Sequence, residues 1–156
     1  MIRQHGFGAI AAIVILVILA VLASAIVSVG STQQIASAQD VLSARAWQAA
    51  RAGNEWGLYQ ALKVQDWAGA GTTCDTASRT KQLDLTTDIG FHVTVFCDSW
   101  QYNEGETAPG TPGTVRMYRI RAVACPVATC PAAGADLAAV AGVGYVERTR
   151  VVYATN

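Results

Sequence analysis

Four cysteines supply the most reactive side chains of this 156-residue chain, and all of them lie beyond residue 70. In an exported domain of this size, an even number of cysteines predicts disulfide bonds. Four cysteines allow three pairings, and we favour the one in which each bond closes a local loop, Cys74–Cys97 and Cys125–Cys130. The alternative is a zinc site, for which the spacing of Cys125 and Cys130 is loosely suitable. A second tight pair of ligands is missing from the sequence.

The other groups that could perform acid–base chemistry are few, and they indicate no enzyme. The chain has two histidines, His5 near its start and His92 within an alternating segment. A lone histidine on a strand is usually a half-exposed side chain rather than a catalytic group. Glu104 and Glu106 lie in a turn-rich stretch, where their role is to keep that stretch solvated. The sequence has no glycine-rich phosphate loop, HExxH or GxSxG motif. We therefore predict no catalytic residue, no metal and no other cofactor.

The junction between Gly6 and Phe7 is a candidate for peptide-bond cleavage. A short leader that carries Arg3 and His5 ends in Gly6, and Phe7 opens an apolar run that reaches Val29 without a charge or a proline. A helix of that length would span about 34 Å, enough to cross a hydrocarbon core of about 30 Å.

Three interpretations fit this N-terminal region. A secretory signal would be cleaved near Ala23–Ala25, but the helical pattern continues past Ala25. An uncleaved membrane anchor accounts for the apolar run and leaves the Gly6–Phe7 junction unexplained. A leader of the prepilin type accounts for the leader length, the glycine, the phenylalanine and the continuing helix together. We favour this third interpretation.

Residues 31–63 predict an amphipathic helix that continues the apolar run. Its apolar stripe repeats every seven residues at Ile35, Leu42, Ala49 and Trp56. Small residues beside this stripe, such as Gly53, permit the close approach of a sheet or another helix. Aromatic residues at helical spacing usually belong to a core, so we expect Trp56 and Tyr59 to pack against a sheet. The alternative is a ligand-binding platform formed by the aromatic side chains.

Three later segments alternate in polarity as strands do: Phe91–Cys97, Val115–Cys125 and Gly144–Tyr153. We predict a loop at residues 72–88 and turns at residues 103–113. The fold class is therefore α+β, with a long N-terminal helix, transmembrane in its first half, packed on a small antiparallel sheet. We divide the chain into a leader (1–6), a transmembrane or filament-core half of the helix (7–29) and one domain (30–156) in which the helix runs to about Lys63.

The charge pattern argues against nucleic acid as a partner. The chain has eleven basic and eleven acidic residues, and only Arg3 precedes residue 30, so the rest carries a net charge of minus one (ten minus eleven). Nucleic-acid binding needs clustered positive charge. The arginines of the second and third predicted strands form either a solvated salt-bridged face, which we favour, or a subunit-contact surface.

Three stretches of the sequence resemble type IV pilin-like proteins and, more narrowly, the MshP family of MSHA (mannose-sensitive haemagglutinin) pilus biogenesis proteins. The first is Gly6 followed by Phe7 after the short leader. The second is Ala44–Gln60, which reads ARAWQAARAGNEWGLYQ, and the third is Gly144–Arg148, which reads GYVER. The three stretches are distributed over nearly the whole length of the chain.

The resemblance implies a membrane protein that becomes a filament subunit. A prepilin peptidase would cut between Gly6 and Phe7 and methylate the new amine. The mature chain would wait in the inner membrane with its C-terminal domain in the periplasm. Inner-membrane pilus assembly machinery would then move it into a pilus at the cell surface, where its partners are other pilins and minor pilins. The expected role is that of a minor pilin at the initiation or tip of the filament, and the alternative is a membrane-anchored periplasmic binding module that does not polymerise.

One position departs from the pattern of most pilins. The fifth residue of the mature chain is commonly a glutamate, and here that place is taken by Ala11. A buried carboxylate would pair with the terminal amine of a neighbouring subunit, which alanine cannot do. The sequence therefore predicts a subunit present in few copies rather than the repeating one.

Overall fold

The computed structural model describes the backbone of residues 6–67, 69 and 71–156, and the side chains of residues 8–27 and of the described residues from Gln33 onward. Residues 1–5 of the predicted leader lie outside this range. The chain divides into two compact units, Met1–Asp40 and Val41–Asn156. The fold class is α+β, as predicted from the sequence.

One helix, α1 (Gly6–Tyr59), is followed by a π-helical turn (Gln60–Val64) and four strands. The strands are β1 (Arg79–Leu85), β2 (Phe91–Ala108), β3 (Thr111–Cys125) and β4 (Arg148–Thr155), and a 3₁₀ segment (Gly134–Ala141) lies between the last two. They form one antiparallel sheet in the order β1-β2-β3-β4. The helical conformation ends at Gln65, whose left-handed backbone (φ 55°) lets its N–H donate to the Gln60 carbonyl at 2.7 Å.

The unit Val41–Asn156 has its core between the C-terminal part of α1 and one face of the sheet. On the helix side the buried residues, nearly all of them small, are Ala46, Ala49, Ala50, Gly53, Asn54 and Gly57. On the sheet side they are the alternating residues Phe91, Val93, Val95, Cys97, Tyr118, Ile120 and Ala122. The predicted alternation of these two strands is confirmed. A Cβ built on Gly53 would lie 2.6 Å from Val93 Cγ1, so the absence of a side chain there lets the helix touch the sheet.

The predicted loop at residues 72–88 is wrong over β1, which occupies Arg79–Leu85. This strand lies at the edge of the sheet, and most of it is exposed. Only Leu83 and Leu85 pack against the core, so the segment has too few apolar residues to show the alternation of a buried strand. Its conformation comes from pairing with β2 instead, in an unbroken register from Arg79↔Cys97 to Leu85↔Phe91.

The predicted turns at residues 103–113 are reduced to a single turn at the tip of a long hairpin. Strands β2 and β3 continue pairing to Ala108↔Thr111, with register shifts between Asn103 and Ala108. The chain reverses at Pro109 and Gly110, and the positive φ of Gly110 (77°) suits a glycine there. Bulges absorb the other turn-forming residues of this stretch without ending either strand.

The third predicted strand begins four residues late. Residues 144–147 precede β4 and do not pair as part of it. Their side chains make packing contacts instead: Val146 belongs to the main core, and Tyr145 packs against a second, smaller cluster. That cluster lies on the opposite face of the sheet and is built around Val123, Cys125 and Cys130.

The favoured cysteine pairing is confirmed. Disulfides join Cys74 to Cys97 and Cys125 to Cys130, and this pairing leaves no free thiolate for the alternative zinc site. The first bond ties the loop before β1 to the buried face of β2. The second closes the loop that carries the smaller cluster.

Removal of the Cys74–Cys97 bond by double substitution with serine is expected to lower the free energy of unfolding by about 3 kcal/mol in the loop-entropy model, because the bond spans 23 residues. The same change at Cys125 and Cys130 should cost about 2 kcal/mol, since that bond spans 5 residues. Urea denaturation of both variants and the parent in one detergent measures the difference. A larger loss from the shorter loop would contradict this ranking.

Candidate functional site

The N-terminal unit presents an uninterrupted apolar helical surface. The segment Gly8–Val27 has a mean hydropathy of 3.3, and none of its most apolar window is buried within the chain. Within this segment, the hydroxyl of Ser24 donates to the Val21 carbonyl at 2.8 Å. The hydroxyl is therefore hydrogen-bonded inside the helix and needs no water. Among the described residues, this is the one helix that is long and apolar enough to cross a membrane. By its length and composition, this helix is suited to a single-pass membrane anchor.

Both residues of the predicted processing site lie within the described backbone. Gly6 is the first residue of α1, and Phe7 follows it in the helix. The rest of the leader, residues 1–5, is outside the described residues. Ala11, at the place of the pilin glutamate, lies exposed on the helix and offers no polar group.

One predicted helix–sheet contact is confirmed and the other is wrong. Trp56 packs against the core, but Tyr59 is 58% exposed. The reason is helical geometry: Gly57 faces the sheet, and Tyr59 is two residues further, about 200° around the helix. The core aromatic missed by the sequence is Trp67, which is 2% exposed and stands edge-on to Trp56 with ring centroids 5.2 Å apart.

The face of the sheet turned away from α1 carries a row of arginines and aromatic rings, here called the outer sheet face. It consists of Phe96, Asp98 and Trp100 of β2, Arg119 and Arg121 of β3, and Val151 and Tyr153 of β4. Cross-strand pairing sets Asp98 opposite Arg119 and Phe96 opposite Arg121.

The two arginines of the outer sheet face are held in different ways. Arg119 Nη2 donates to Asp98 Oδ2 at 2.6 Å, and its guanidinium lies 5.1 Å from the centre of the Trp100 ring. The Arg121 guanidinium stacks over Phe96 at 4.1 Å. The favoured salt-bridged face is thus found at Arg119, while Arg121 is held by an aromatic ring. A subunit-contact role for this face stays a prediction.

The Asp98 carboxylate is the anionic centre of this face. Ser78 Oγ donates to its Oδ1 at 2.6 Å, and this hydrogen bond, followed by that from Arg119, holds the pKa of Asp98 below its ordinary value. The folded state therefore favours the carboxylate, so Asp98 stabilises the fold above its unfolded pKa, and this stabilisation is lost as the pH falls through the lowered folded pKa.

The fold is expected to weaken through Asp98 as the pH drops below about 4. Urea midpoints measured from about pH 6 to about pH 2 on the parent and on Asp98→Asn test this expectation. The variant should show a smaller loss over that interval, and Ser78→Ala should show an intermediate one. Superimposable curves of urea midpoint against pH for the parent and Asp98→Asn would show that Asp98 does not contribute to the loss of stability in acid.

A set of hydrogen bonds around Asp75 holds the loop that contains Cys74 to the end of the sheet. Tyr118 Oη donates to Asp75 Oδ1 at 2.7 Å, and Arg116 Nη1 donates to the Asp75 carbonyl at 2.9 Å. Burial, and then the hydrogen bond to Asp75, raises the pKa of Tyr118. This contact could not be predicted from the sequence, because it joins residues more than forty positions apart.

On the face of the sheet toward α1, β4 carries two further arginines, which are held against that helix. Arg148 Nη2 donates to Ser43 Oγ at 2.6 Å, and the Arg150 guanidinium lies 4.4 Å from the centre of the Trp47 ring. His92 of β2 is half-buried, and its Nδ1 lies 3.7 Å from Asp84 Oδ1 of the edge strand β1. Within residues 6–67, 69 and 71–156, no three His, Cys, Asp or Glu side chains are grouped so as to hold a metal ion.

Comparison of the chain with protein-family models, with curated proteins and with solved structures finds no significant match.

Proposed function

We propose that this chain is a minor pilin-like subunit that helps to initiate or cap a type IV filament of the MSHA type and has no enzymatic activity. The observation that carries the proposal is the fully exposed apolar helical surface Gly8–Val27, which follows the Gly6–Phe7 junction directly. A surface of that size and hydropathy needs lipid or other apolar helices around it. The α+β fold of the other unit is that expected of such a subunit.

The proposed sequence of events starts in the inner membrane. A prepilin peptidase cuts between Gly6 and Phe7, and the apolar helix holds the mature chain while Val41–Asn156 resides in the periplasm. That compartment is oxidising, which suits the two disulfides. The assembly machinery then transfers the helix from lipid to a bundle of helices from other pilins. Both environments are apolar, so the transfer exposes none of this surface to water.

Ala11 supports a terminal position in the filament. In a helical bundle, an ammonium group at the terminus of one subunit needs an anionic partner, and an unpaired buried charge costs several kcal/mol. Ala11 supplies no such partner. A filament built from this chain alone would incur that cost at every contact, whereas a single copy at one end would not.

Few copies of the chain per filament are therefore expected. Purified filaments analysed with isotope-labelled peptide standards should contain it far below the major subunit, and Ala11→Glu should raise its share. Levels near those of the major subunit along the shaft would contradict the argument from Ala11.

The second candidate function is a membrane-anchored periplasmic module that does not polymerise. The missing carboxylate at Ala11 is equally compatible with it. Its signature would be a chain that keeps residues 1–6 and is absent from purified filaments.

A further inference from the structure

Strand β4 forms an edge of the sheet that has few of the usual protections against pairing. It adjoins only β3, and among the described residues no strand lies on its other side. Its eight residues, RTRVVYAT, pair with β3 without a bulge and include no proline and no lysine. Edge strands in native proteins are commonly shortened, bulged, interrupted by proline or made charged. Of these protections β4 has only the charges of Arg148 and Arg150, which are held toward α1.

The opposite edge of the same sheet is protected. Strand β1 bears Lys81 and Asp84, both exposed, and the side chain of Gln82 donates to the Ala128 carbonyl. The Gln82 contact ties β1 to the loop that follows β3, which restricts the approach of another strand on that side.

The backbone groups available on β4 follow from its pairing with β3. Arg116 and Asn156 exchange two hydrogen bonds, at 3.2 and 3.0 Å. Bonded and non-bonded pairs alternate along an antiparallel ladder, so the residues that turn their N–H and C=O groups to the free edge are Thr149, Val151, Tyr153 and Thr155. A strand added there would find donors and acceptors repeating about every 7 Å.

The side chains beside this edge specify the chemistry of an added strand. On the face toward α1 lie Arg148 and Arg150, which hydrogen-bond to Ser43 and stack on Trp47 respectively rather than pair with a carboxylate. On the other face, Val151 is 44% and Tyr153 64% exposed. Side chains of an added strand would lie about 5 Å from these residues. We propose that the free edge of β4 binds an extended segment of a partner protein that alternates acidic side chains, facing the arginines, with apolar ones.

Pairing with a second copy of this chain fits the charges less well. Strand β1 of another copy would bring Arg79 and Lys81 to the face that carries the two β4 arginines, because both lie on the α1 side of the sheet. Two β4 strands paired together would collect four arginines on one face. Like charges on neighbouring strands are destabilising, whereas an acidic segment neutralises them.

A labelled eight-residue peptide of alternating glutamate and valine, added to the full chain in non-ionic detergent, tests the proposal by fluorescence anisotropy. We expect saturable binding that weakens with salt, together with slower hydrogen exchange at the amides of Thr149, Val151, Tyr153 and Thr155. A peptide with lysine for glutamate, and one with N-methylated valines, should each bind about tenfold or more weakly. The N-methylated peptide tests the hydrogen bonds without altering the protein.

Two variants separate the role of charge from that of the backbone. Arg148→Glu combined with Arg150→Glu should reverse the preference in favour of the lysine peptide. Val151→Pro removes an N–H that β3 does not use, so the fold should persist while peptide binding falls about tenfold or more. Equal binding of the acidic and lysine peptides, equal binding of the N-methylated peptide, or protection elsewhere in the chain would overturn the proposal. A peptide-free dimer that Val151→Pro dissociates would overturn it in favour of self-pairing.

Discussion

Replacement of Gly57 by valine is expected to lower the free energy of unfolding of the unit Val41–Asn156 by about 3 kcal/mol. A Cβ at this position would lie 2.5 Å from Ile120 Cγ2 and 2.9 Å from Val95 Cγ1. Both neighbours are fully buried, so neither side chain can move aside into solvent. The helix would have to withdraw from the sheet, which would weaken the contact along its whole buried stripe.

The matched control for Gly57→Val is Ala44→Val, which places valine at an exposed position of the same helix. Its cost should be limited to the helix propensity of valine, below about 0.7 kcal/mol. Urea denaturation followed by circular dichroism measures both variants, and Trp67, 3.4 Å from the Cβ that would be built on Gly57, reports the disturbance by fluorescence. Equal losses at the two positions would contradict the close contact of helix and sheet.

Replacement of Gly6 by valine is expected to abolish processing and filament incorporation while membrane insertion continues. The proposed peptidase must reach the bond between Gly6 and Phe7, and a branched side chain beside that bond would obstruct it. Insertion depends instead on Gly8–Val27, whose hydropathy the substitution does not change. Immunoblots of membrane and filament fractions follow both outcomes.

Gly8→Val provides the control for this effect, because a Cβ at Gly8 meets nothing within 4 Å and the residue lies beyond the cleaved bond. That variant should be processed and incorporated. An unchanged mature mass for Gly6→Val would refute the assignment of Gly6 as a processing residue. Loss of membrane association in that variant would indicate that the leader acts in insertion instead.

Sequence periodicity predicted those strands whose side chains are buried on one face. Phe91–Cys97 alternates because every second residue enters the core, and the structure confirms it. Strand β1 was not predicted, because only two of its side chains, Leu83 and Leu85, contribute to the core. The outer half of the β2–β3 hairpin was predicted as turns, because its glycines and prolines are accommodated by bulges that composition alone does not reveal.

Contacts that depend on register were the least accessible from the sequence. The disulfides could be predicted because both close local loops. The pairing of Asp98 with Arg119 requires knowledge of which residues stand opposite each other. Trp67 joins the core only because the chain turns sharply at Gln65, a non-glycine residue with positive φ that carries no sequence signal.

The mass of the mature N-terminal peptide, measured on the protein purified from its native membranes, tests the central claim most directly. The proposal predicts a chain that begins at N-methylated Phe7 and contains two intramolecular disulfides. A chain that begins at Met1 with residues 1–6 intact would contradict processing and leave an uncleaved anchor. A chain that begins after Ala25 would contradict the anchor as well, because the apolar helix would then have served only as a secretory signal.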